Sequence, residues 1–125
     1  MLQVYSYNRC STCRRALSWL NDHGLEHTVI DITADPPSRE ILASAMEQFG
    51  DRRPLFNTSG QSYRALGAVV VKAMSDDEAL DALAADGRLI KRPFAITPDG
   101  QVLVGFKPEV WQDQLKGWNS AHPVR

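Results

Sequence analysis

Two cysteines separated by two residues are the side chains of this sequence best suited to carry chemistry. The segment Cys10-Ser11-Thr12-Cys13-Arg14 follows an extended apolar run, Leu2 to Tyr7, and directly precedes apolar residues at helical spacing. A turn between a strand and a helix gathers unpaired backbone N–H groups and the positive end of the helix dipole, and both stabilise an anion. Here that anion would be a thiolate, so the pattern predicts a nucleophilic or redox-active site.

The two cysteines are expected to have different roles. Cys10 precedes the helix and should face its open end, whereas Cys13 lies within the first turn and should be shielded, so Cys10 is the predicted nucleophile. Residues three apart on a helix have Cβ atoms about 5–6 Å apart, so Cys13 can resolve a mixed disulfide on Cys10 once the first turn relaxes. The helix dipole alone stabilises an exposed thiolate by roughly 0.3–1 kcal/mol, so Arg14, Arg92 or close backbone N–H groups must contribute more.

The elements that position this turn begin with a predicted β-α-β unit. A helix from Cys13 to His23 ends at Gly24, and the run from Glu26 to Ile32 predicts a second strand, parallel to the first. The residues from 38 to 88 are then predicted to be mostly helical. They comprise a helix capped by Ser38 and closed by Gly50, a loop from Asp51 to Gly60, a short helical stretch around Tyr63 to Leu66, and a helix that begins with the capping-box spacing of Ser75 and Glu78 and ends at Gly87.

The last third of the chain predicts two strands and a helix. Pro98-Asp99-Gly100 is a turn signal between two apolar runs, 94–97 and 101–104, which indicates an antiparallel hairpin. Pro108 suits the first turn of a final helix. The apolar stripe of that helix consists of Val110, Trp111, Leu115 and Trp118.

Composition and charge limit the kind of protein this is. With 125 residues, 43% of them hydrophobic, the chain is long enough for one domain with its own core. The formal net charge of −1 gives no basis for direct nucleic-acid binding, and no apolar run approaches the roughly 18 residues that span a bilayer. We therefore expect a cytoplasmic protein without membrane contact. In that reducing compartment a lone cysteine pair is more often redox-active or metal-binding than a structural disulfide.

The order of elements, with Cys-x-x-Cys at the start of the first helix, resembles the thioredoxin fold with a helical insertion. The whole chain resembles the glutaredoxin-like ArsC family, which contains glutathione-coupled arsenate reductases and the Spx transcription regulators. Besides the cysteine motif, the resemblance is carried by Asp35-Pro36-Pro37-Ser38, Phe56-Asn57-Thr58-Ser59-Gly60 with Tyr63-Arg64, and Leu89-Ile90-Lys91-Arg92-Pro93. It implies one α/β domain over residues 1–125. Residues of about 1–34 and 89–118 would form β-α-β and β-β-α units of a mixed four-stranded sheet, with a helical insertion at about 38–88.

The resemblance also assigns an anion site and shows where this chain departs from it. In the family, the proline at Pro93 is cis and faces the active cysteine, and the arginine at Arg92 binds the oxyanion. Arsenate-reducing members have a single cysteine in the catalytic turn, with serine at the position of Cys13, and they use three arginines. Here Asn57 and Lys107 fall near two of those arginines, and lysine replaces a bidentate guanidinium only as a point charge. Arsenate reduction is therefore expected to be weak.

We interpret the chain as an ArsC-like thiol oxidoreductase without a bound cofactor or metal. It would reduce a disulfide, or an oxyanion such as arsenate, with glutathione, glutaredoxin or another small thiol protein as the donor. The alternative is an Spx-like, redox-switched regulator that binds the RNA polymerase α subunit. The predicted substrate- and anion-binding residues are Ser11, Thr12, Arg14, Asn57, Arg92, Pro93 and Lys107.

Simpler interpretations of the same residues stay open. A zinc site would need two further ligands, and the histidines at 23, 27 and 122 are scattered along the sequence. The cysteines could instead be buried packing residues. The pair Arg92-Pro93 could simply be the start of a strand, without a role in a site. The segment Asn57-Thr58-Ser59-Gly60 could be a polar turn. We interpret Arg52-Arg53 as a solvated surface pair.

Overall fold

The computed structural model describes residues 1–115, whose centre is a sheet of four strands. The strands are β1 (Leu2–Ser6), β2 (His27–Asp31), β3 (Phe94–Ile96) and β4 (Val102–Val104). They lie in the order β2-β1-β3-β4, with β1 parallel to β2 and the other two pairs antiparallel. The predicted mixed sheet, β-α-β unit and C-terminal hairpin are therefore confirmed.

The helices match most of the predicted segments, with two differences. They are α1 (Ser11–Asp22), α2 (Arg39–Phe49), α3 (Gln61–Leu66), α4 (Ala68–Ala73), α5 (Asp76–Ala85) and α6 (Pro108–Leu115), with 3-10 turns at Arg53–Leu55 and Gly87–Leu89. Helix α1 begins at Ser11, before the predicted start at Cys13, whereas α5 ends at Ala85 with Asp86 as its C-cap, so that Gly87 follows the helix as predicted. Helix α4 was not predicted.

Side-chain caps explain why the two long inserted helices begin where they do. The Ser38 hydroxyl accepts a hydrogen bond from the Ile41 backbone at 3.2 Å, and α2 ends at Gly50 in a left-handed conformation with φ of 69°. At α5, the Ser75 hydroxyl accepts from the Glu78 backbone while the Glu78 carboxylate accepts from the Ser75 backbone. Both starts were readable from local sequence alone.

Each face of the sheet is covered by its own helices. On one face, Leu20 of α1 and Trp111 of α6 pack with Leu2 and Val4 of β1. On the other face, α2 and α5 contribute Leu42, Leu83 and their neighbours to a cluster with Tyr5 and Phe94. Because side chains alternate between the two faces of β1, its residues contribute to two separate hydrophobic clusters. Val110 does not belong to the buried stripe of α6, since it is 43% exposed, and Trp118 lies outside the described residues.

Two long-range contacts fix the inserted segment to the sheet. The Gln48 side-chain amide donates to the Val102 carbonyl at 3.0 Å and accepts from the Val102 N–H at 2.9 Å, so it pairs with the outer edge of β4. Gly87 approaches the chain after β2 so closely that a Cβ there would lie 1.8 Å from the Ile32 carbonyl oxygen. No helix within residues 1–115 has both the length and the apolar character needed to cross a membrane.

Candidate active site

The Cys10 sulfur caps the N-terminus of α1. Cys10 is the N-cap residue, with an extended backbone, and its Sγ accepts a hydrogen bond from the Cys13 N–H at 3.2 Å. Its own N–H donates to the Tyr7 carbonyl at 3.0 Å, which closes the turn after β1. The half-buried sulfur thus faces an N–H group at the positive end of the helix.

Cys13 is the more shielded thiol of the pair. Its side chain is completely buried, and both cysteines are reduced. Burial, followed by the hydrogen bond with the Cys10 side chain, raises the pKa of the Cys13 thiol to about 11, against smaller lowering contributions from hydrogen bonds with Tyr7 and Ser6. Cys13 therefore keeps its proton at neutral pH.

Cys10 opens into a cleft of about 750 Å³ to which four separate chain segments contribute. The cysteine turn, the loop after the first 3-10 turn, and the segments around β3 and after β4 all line it. Of the residues predicted from sequence, this cleft brings together Cys10, Ser11, Thr12, Asn57, Arg92 and Lys107.

Sequence reasoning missed much of the positive charge in this cleft. Arg9, Arg15, Arg53 and Lys91 line it in addition to Arg92 and Lys107, and none of its lining residues, all within 1–115, is acidic. The cleft is thus strongly cationic although the chain carries a formal net charge of −1. These cations are visible in the sequence, but the sequence does not show that they face the cleft, because arginines on a short helix or loop are usually solvated.

Two of the predicted substrate- and anion-binding residues, Pro93 and Arg14, do not line the cleft, and Arg14 makes a contact elsewhere. It is not among the lining residues, and its Nη1 donates to the Asn8 carbonyl at 2.8 Å. One position along α1 is a rotation of about 100°, so Arg15 reaches the cleft where Arg14 does not.

The interpretation of Arg52 and Arg53 as a solvated surface pair was wrong for Arg52 and is confirmed for Arg53, whose side chain is 89% exposed. The side chain of Arg52 is only 18% exposed, and its Nη2 donates to the carbonyls of Val71 and Lys72 at the end of α4. Arg53 is exposed and pairs with the Asp51 carboxylate at 2.6 Å, but it also lines the cleft. Arg52 therefore has a structural role, and Arg53 adds charge to the site.

Arg92 lies between the cleft and the sheet and is more enclosed than a solvent-facing residue. Its guanidinium carbon is 4.9 Å from the centre of the Tyr7 ring. Two of its nitrogens, Nε and Nη1, are buried without a hydrogen-bond partner. The following Pro93 is also buried, and the Arg92–Pro93 peptide bond is cis. From the sequence alone, a residue at the entry of a cleft is expected to face solvent, and this expectation is wrong for Arg92, because Tyr7, just after β1, covers it.

Two backbone hydrogen bonds between the segments 55–57 and 89–91 bring Asn57 and Arg92 to the same cleft. The Asn57 N–H donates to the Leu89 carbonyl at 2.8 Å, and the Lys91 N–H donates to the Leu55 carbonyl at 2.7 Å. The segment from Asn57 to Gly60 forms a polar turn, with the Ser59 hydroxyl donating to the Asn57 side chain, and it also lines the cleft. Both interpretations of this segment are thus compatible with its structure.

The described residues offer no obvious metal centre. Within residues 1–115, no group of three or more histidine, cysteine, aspartate or glutamate side chains is gathered as a metal site would require. His122 lies outside these residues.

A thioredoxin-like sheet, a cysteine at the N-terminus of the first helix and a cis proline before β3 define a thiol-dependent protein of the thioredoxin-like class. A model of the ArsC family matches residues 5–114, and the chain belongs to this family.

The relatives of this chain include proteins named as arsenate reductases. It is 46% identical over 115 residues to the uncharacterized protein YusI of Bacillus subtilis strain 168, covering 90% of this chain and 96% of that protein. It is 32% identical over 103 residues to an arsenate reductase of Escherichia coli, covering 82% and 72%. The crystal structure of a possible arsenate reductase from Streptococcus mutans UA159 matches with a TM-score of 0.80 at 43% identity, covering 86% and 92%. These similarities support a function related to that of arsenate reductases.

Proposed function

We propose that this protein is a thiol–disulfide oxidoreductase with Cys10 as the nucleophile and Cys13 as the resolving thiol. Glutathione or a small thiol protein would supply the electrons. One observation carries the proposal, which is the Cys10 sulfur at the N-terminus of α1 in a cleft of about 750 Å³ that is lined by cations and, among residues 1–115, by no carboxylate. Such a cleft favours a thiolate and an anionic thiol substrate together.

The proposed reaction consists of thiolate exchanges in which electrons balance at every step. The Cys10 thiolate attacks one sulfur of the substrate disulfide, the S–S bond breaks, and the first substrate thiolate leaves with its electron pair. Cys13 then loses its proton to that thiolate or to solvent and attacks the Cys10 sulfur. The second substrate thiolate leaves, and a Cys10–Cys13 disulfide remains. Two glutathione molecules reduce this disulfide and become glutathione disulfide.

Burial, the largest cause of the raised pKa of the Cys13 thiol, is kept when Cys10 carries the mixed disulfide, so attack by Cys13 is expected to be the slow part of this sequence. The mixed disulfide on Cys10 should therefore last long enough for an external thiolate to compete with Cys13 for the same sulfur. Excess glutathione would then complete turnover without Cys13.

Arsenate is a poorer fit than a disulfide for this cleft. Asn57 supplies a neutral amide and Lys107 a point charge where the arsenate-reducing members resembled here use arginines, and Arg53 is already paired with Asp51. We therefore propose weak or absent arsenate turnover. Arsenate-dependent glutathione oxidation, measured beside reduction of a neutral disulfide such as bis(2-hydroxyethyl) disulfide, tests this. Arsenate turnover as fast as disulfide turnover would contradict it.

Alkylation followed by mass spectrometry tests the assignment of the nucleophile. With a limiting amount of iodoacetamide at pH 7, Cys10 should be modified before Cys13, because Cys13 is buried and protonated. Cys10→Ser should abolish disulfide reduction, and Cys13→Ser should keep activity at high glutathione concentration. Faster alkylation of Cys13, or an active Cys10→Ser variant, would overturn the proposal. The polymerase-binding alternative stays a prediction, and a pull-down with the polymerase α subunit in reducing and oxidising buffer tests it.

A further inference from the structure

A second cavity, of about 470 Å³, adjoins the Cys10 cleft between the loop 51–58, α3 and the end of α4, and we call it the side cavity. The two spaces share Arg53, Phe56 and Thr58. Arg53 and Thr58 are exposed, so the protein core does not close the boundary between them. No step of the reaction proposed above uses the side cavity. A ligand whose sulfur reaches Cys10 can therefore extend into it.

The wall of the side cavity is apolar and belongs to the hydrophobic core. Phe56 and Val71 are each 5% exposed, and both lie in the buried cluster against which Tyr63 packs. The rings of Phe56 and Tyr63 meet edge to face, with centroids 6.1 Å apart and an interplanar angle of 68°. Because core packing holds these side chains, the wall is formed before any ligand arrives. An apolar group that enters therefore loses little free energy to reorganisation.

Most charged side chains around the side cavity already have partners. Arg52 donates to two carbonyls at the end of α4 and forms an ion pair with Asp76 at 3.3 Å. Arg53 is paired with Asp51 at 2.6 Å. Lys72 is the remaining charged residue of the lining within 1–115, and it is exposed to solvent. An anion would therefore gain less here than in the neighbouring cleft, whose lining within these residues includes no acidic side chain.

We propose that the side cavity holds an uncharged aromatic substituent of the substrate disulfide while a sulfur of that disulfide reacts at Cys10. This substrate class, a disulfide of a small aromatic thiol, rests on the proposed function, because the reaction at Cys10 fixes where the sulfur lies. A volume of about 470 Å³ is within the range of small-molecule sites, roughly 300–1,000 Å³. In the exchange, a bond forms between the Cys10 sulfur and one substrate sulfur, and the substrate S–S bond breaks. The departing thiolate keeps the electron pair and takes a proton from solvent.

Turnover of two uncharged disulfides, with glutathione as the donor, tests this substrate class. Benzyl 2-hydroxyethyl disulfide carries a ring, whereas bis(2-hydroxyethyl) disulfide does not. Their thiols are of similar acidity, so the two compounds have similar intrinsic reactivity. We expect kcat/KM to be about tenfold higher for the benzyl compound, a selectivity typical of a small apolar group in a hydrophobic pocket.

Two matched variants locate the source of this preference. Tyr63 and Phe49 are both half-buried aromatic residues of the inserted segment, but Tyr63 lines the side cavity, whereas Phe49 lines neither space. Tyr63→Ser removes one aromatic wall, so the preference for the benzyl compound should fall to about threefold or less. Phe49→Ser removes a ring elsewhere in the same segment, and the preference should stay at about tenfold.

Binding without turnover is measured with a thioether that cannot undergo exchange. Benzyl 2-hydroxyethyl sulfide, titrated into the unmodified protein, should shift the backbone amide resonances of Thr58, Tyr63 and Val71 in heteronuclear NMR spectra, because these residues line the side cavity. Methyl 2-hydroxyethyl sulfide lacks the ring and should shift them much less. This titration needs no variant, so it remains a test even if Tyr63→Ser does not fold.

The turnover ratio and the location of the shifts decide the outcome. A preference that Tyr63→Ser reduces and Phe49→Ser keeps, together with shifts at the side cavity, supports the proposal. Equal kcat/KM for the two disulfides, a preference that survives in Tyr63→Ser, or shifts confined to other parts of the chain would mean that the side cavity has another occupant, and each overturns it. If bis(2-hydroxyethyl) disulfide is turned over without a preference for the ring, only the role of the side cavity is refuted. If neither disulfide is turned over, the oxidoreductase proposal fails, and the assignment of the side cavity fails with it.

Discussion

Replacing Arg92 with methionine should weaken substrate binding and stabilise the fold at the same time. The native side chain holds Nε and Nη1 in a buried place without partners, and its ring contact with Tyr7 is the compensating interaction. Leaving buried donors unsatisfied costs about 1–3 kcal/mol, whereas a partly exposed cation–π contact contributes about 0.5–1 kcal/mol. Methionine keeps an unbranched apolar stem against Tyr7. The free energy of unfolding should therefore rise by about 1 kcal/mol, which corresponds to roughly 3–5 °C in the melting temperature.

The effect of this substitution on activity should have the opposite sign. A hydrogen bond to a charged group contributes about 1.5–3 kcal/mol, and each 1.4 kcal/mol is a factor of ten. For a carboxylate-bearing disulfide, kcat/KM should then fall about 10- to 100-fold in Arg92→Met. Arg92→Lys keeps a positive charge without the planar fork, so its kcat/KM should lie between those of the two other proteins.

Urea unfolding in reducing buffer and steady-state reduction of cystine, a disulfide that bears carboxylates, with glutathione as the donor measure both quantities in the same preparations. A free energy of unfolding that drops by more than about 1 kcal/mol would mean that the guanidinium stabilises the native state, contrary to its lack of partners. An unchanged kcat/KM would remove Arg92 from substrate binding. Either result would refute the reasoning that an unmet hydrogen-bonding demand is kept at Arg92 for the ligand.

Three further predictions concern the thiol pair and one close backbone approach. Oxidation with diamide should close a Cys10–Cys13 disulfide within one chain, seen by non-reducing mass spectrometry as a monomer lighter by two hydrogen atoms, and intermolecular dimers as the main product would contradict this. Burial raises the pKa of the Cys13 thiol from 9.0 to about 11, so the native state holds this proton more tightly than the unfolded chain. The free energy of unfolding of the reduced protein should therefore decline as the pH rises through this interval, more steeply than in Cys13→Ala, and parallel curves would argue against a buried thiol. Gly87→Ala should destabilise the fold by more than about 2 kcal/mol in urea unfolding, because its Cβ would meet the Ile32 carbonyl oxygen, whereas Gly24→Ala, with open space around it, should cost about 1 kcal/mol.

The parts of the fold that were predictable from sequence are those set by local physics. Ser38, Ser75 and Gly50 act on backbone groups within a few residues, and their signals place the ends of α2 and α5 correctly. Helix α4 was missed because Ala68–Ala73 is rich in valine, which favours strands, and only its packing in the inserted segment makes it helical. Tertiary context overrode local preference there.

In the candidate site, too, features set by local sequence were predictable and features set by tertiary packing were not. The predicted roles of Cys10 and Cys13 rest on their positions at a helix start, and the structure confirms only that Cys13 is the buried one. The cations that fill the cleft could not be identified, because Arg15 and Arg53 reach it through helix rotation and loop course. The enclosure of Arg92 depends on the pairing of β3 with β1, a contact between residues about ninety positions apart that no local pattern encodes.

The Gln48 amide has a consequence for how these molecules behave at high concentration. Because it occupies both hydrogen-bonding groups of Val102, it stands where the backbone of a further strand would add, and it closes that side of the sheet against growth. A chain that joined the sheet by strand addition would have to do so beside β2, the opposite edge, where Val29 is 52% exposed. Helix α2 thus protects β4 against edge-to-edge aggregation through Gln48. Self-association by strand pairing would then occur at β2, whose edge has no such contact among the described residues.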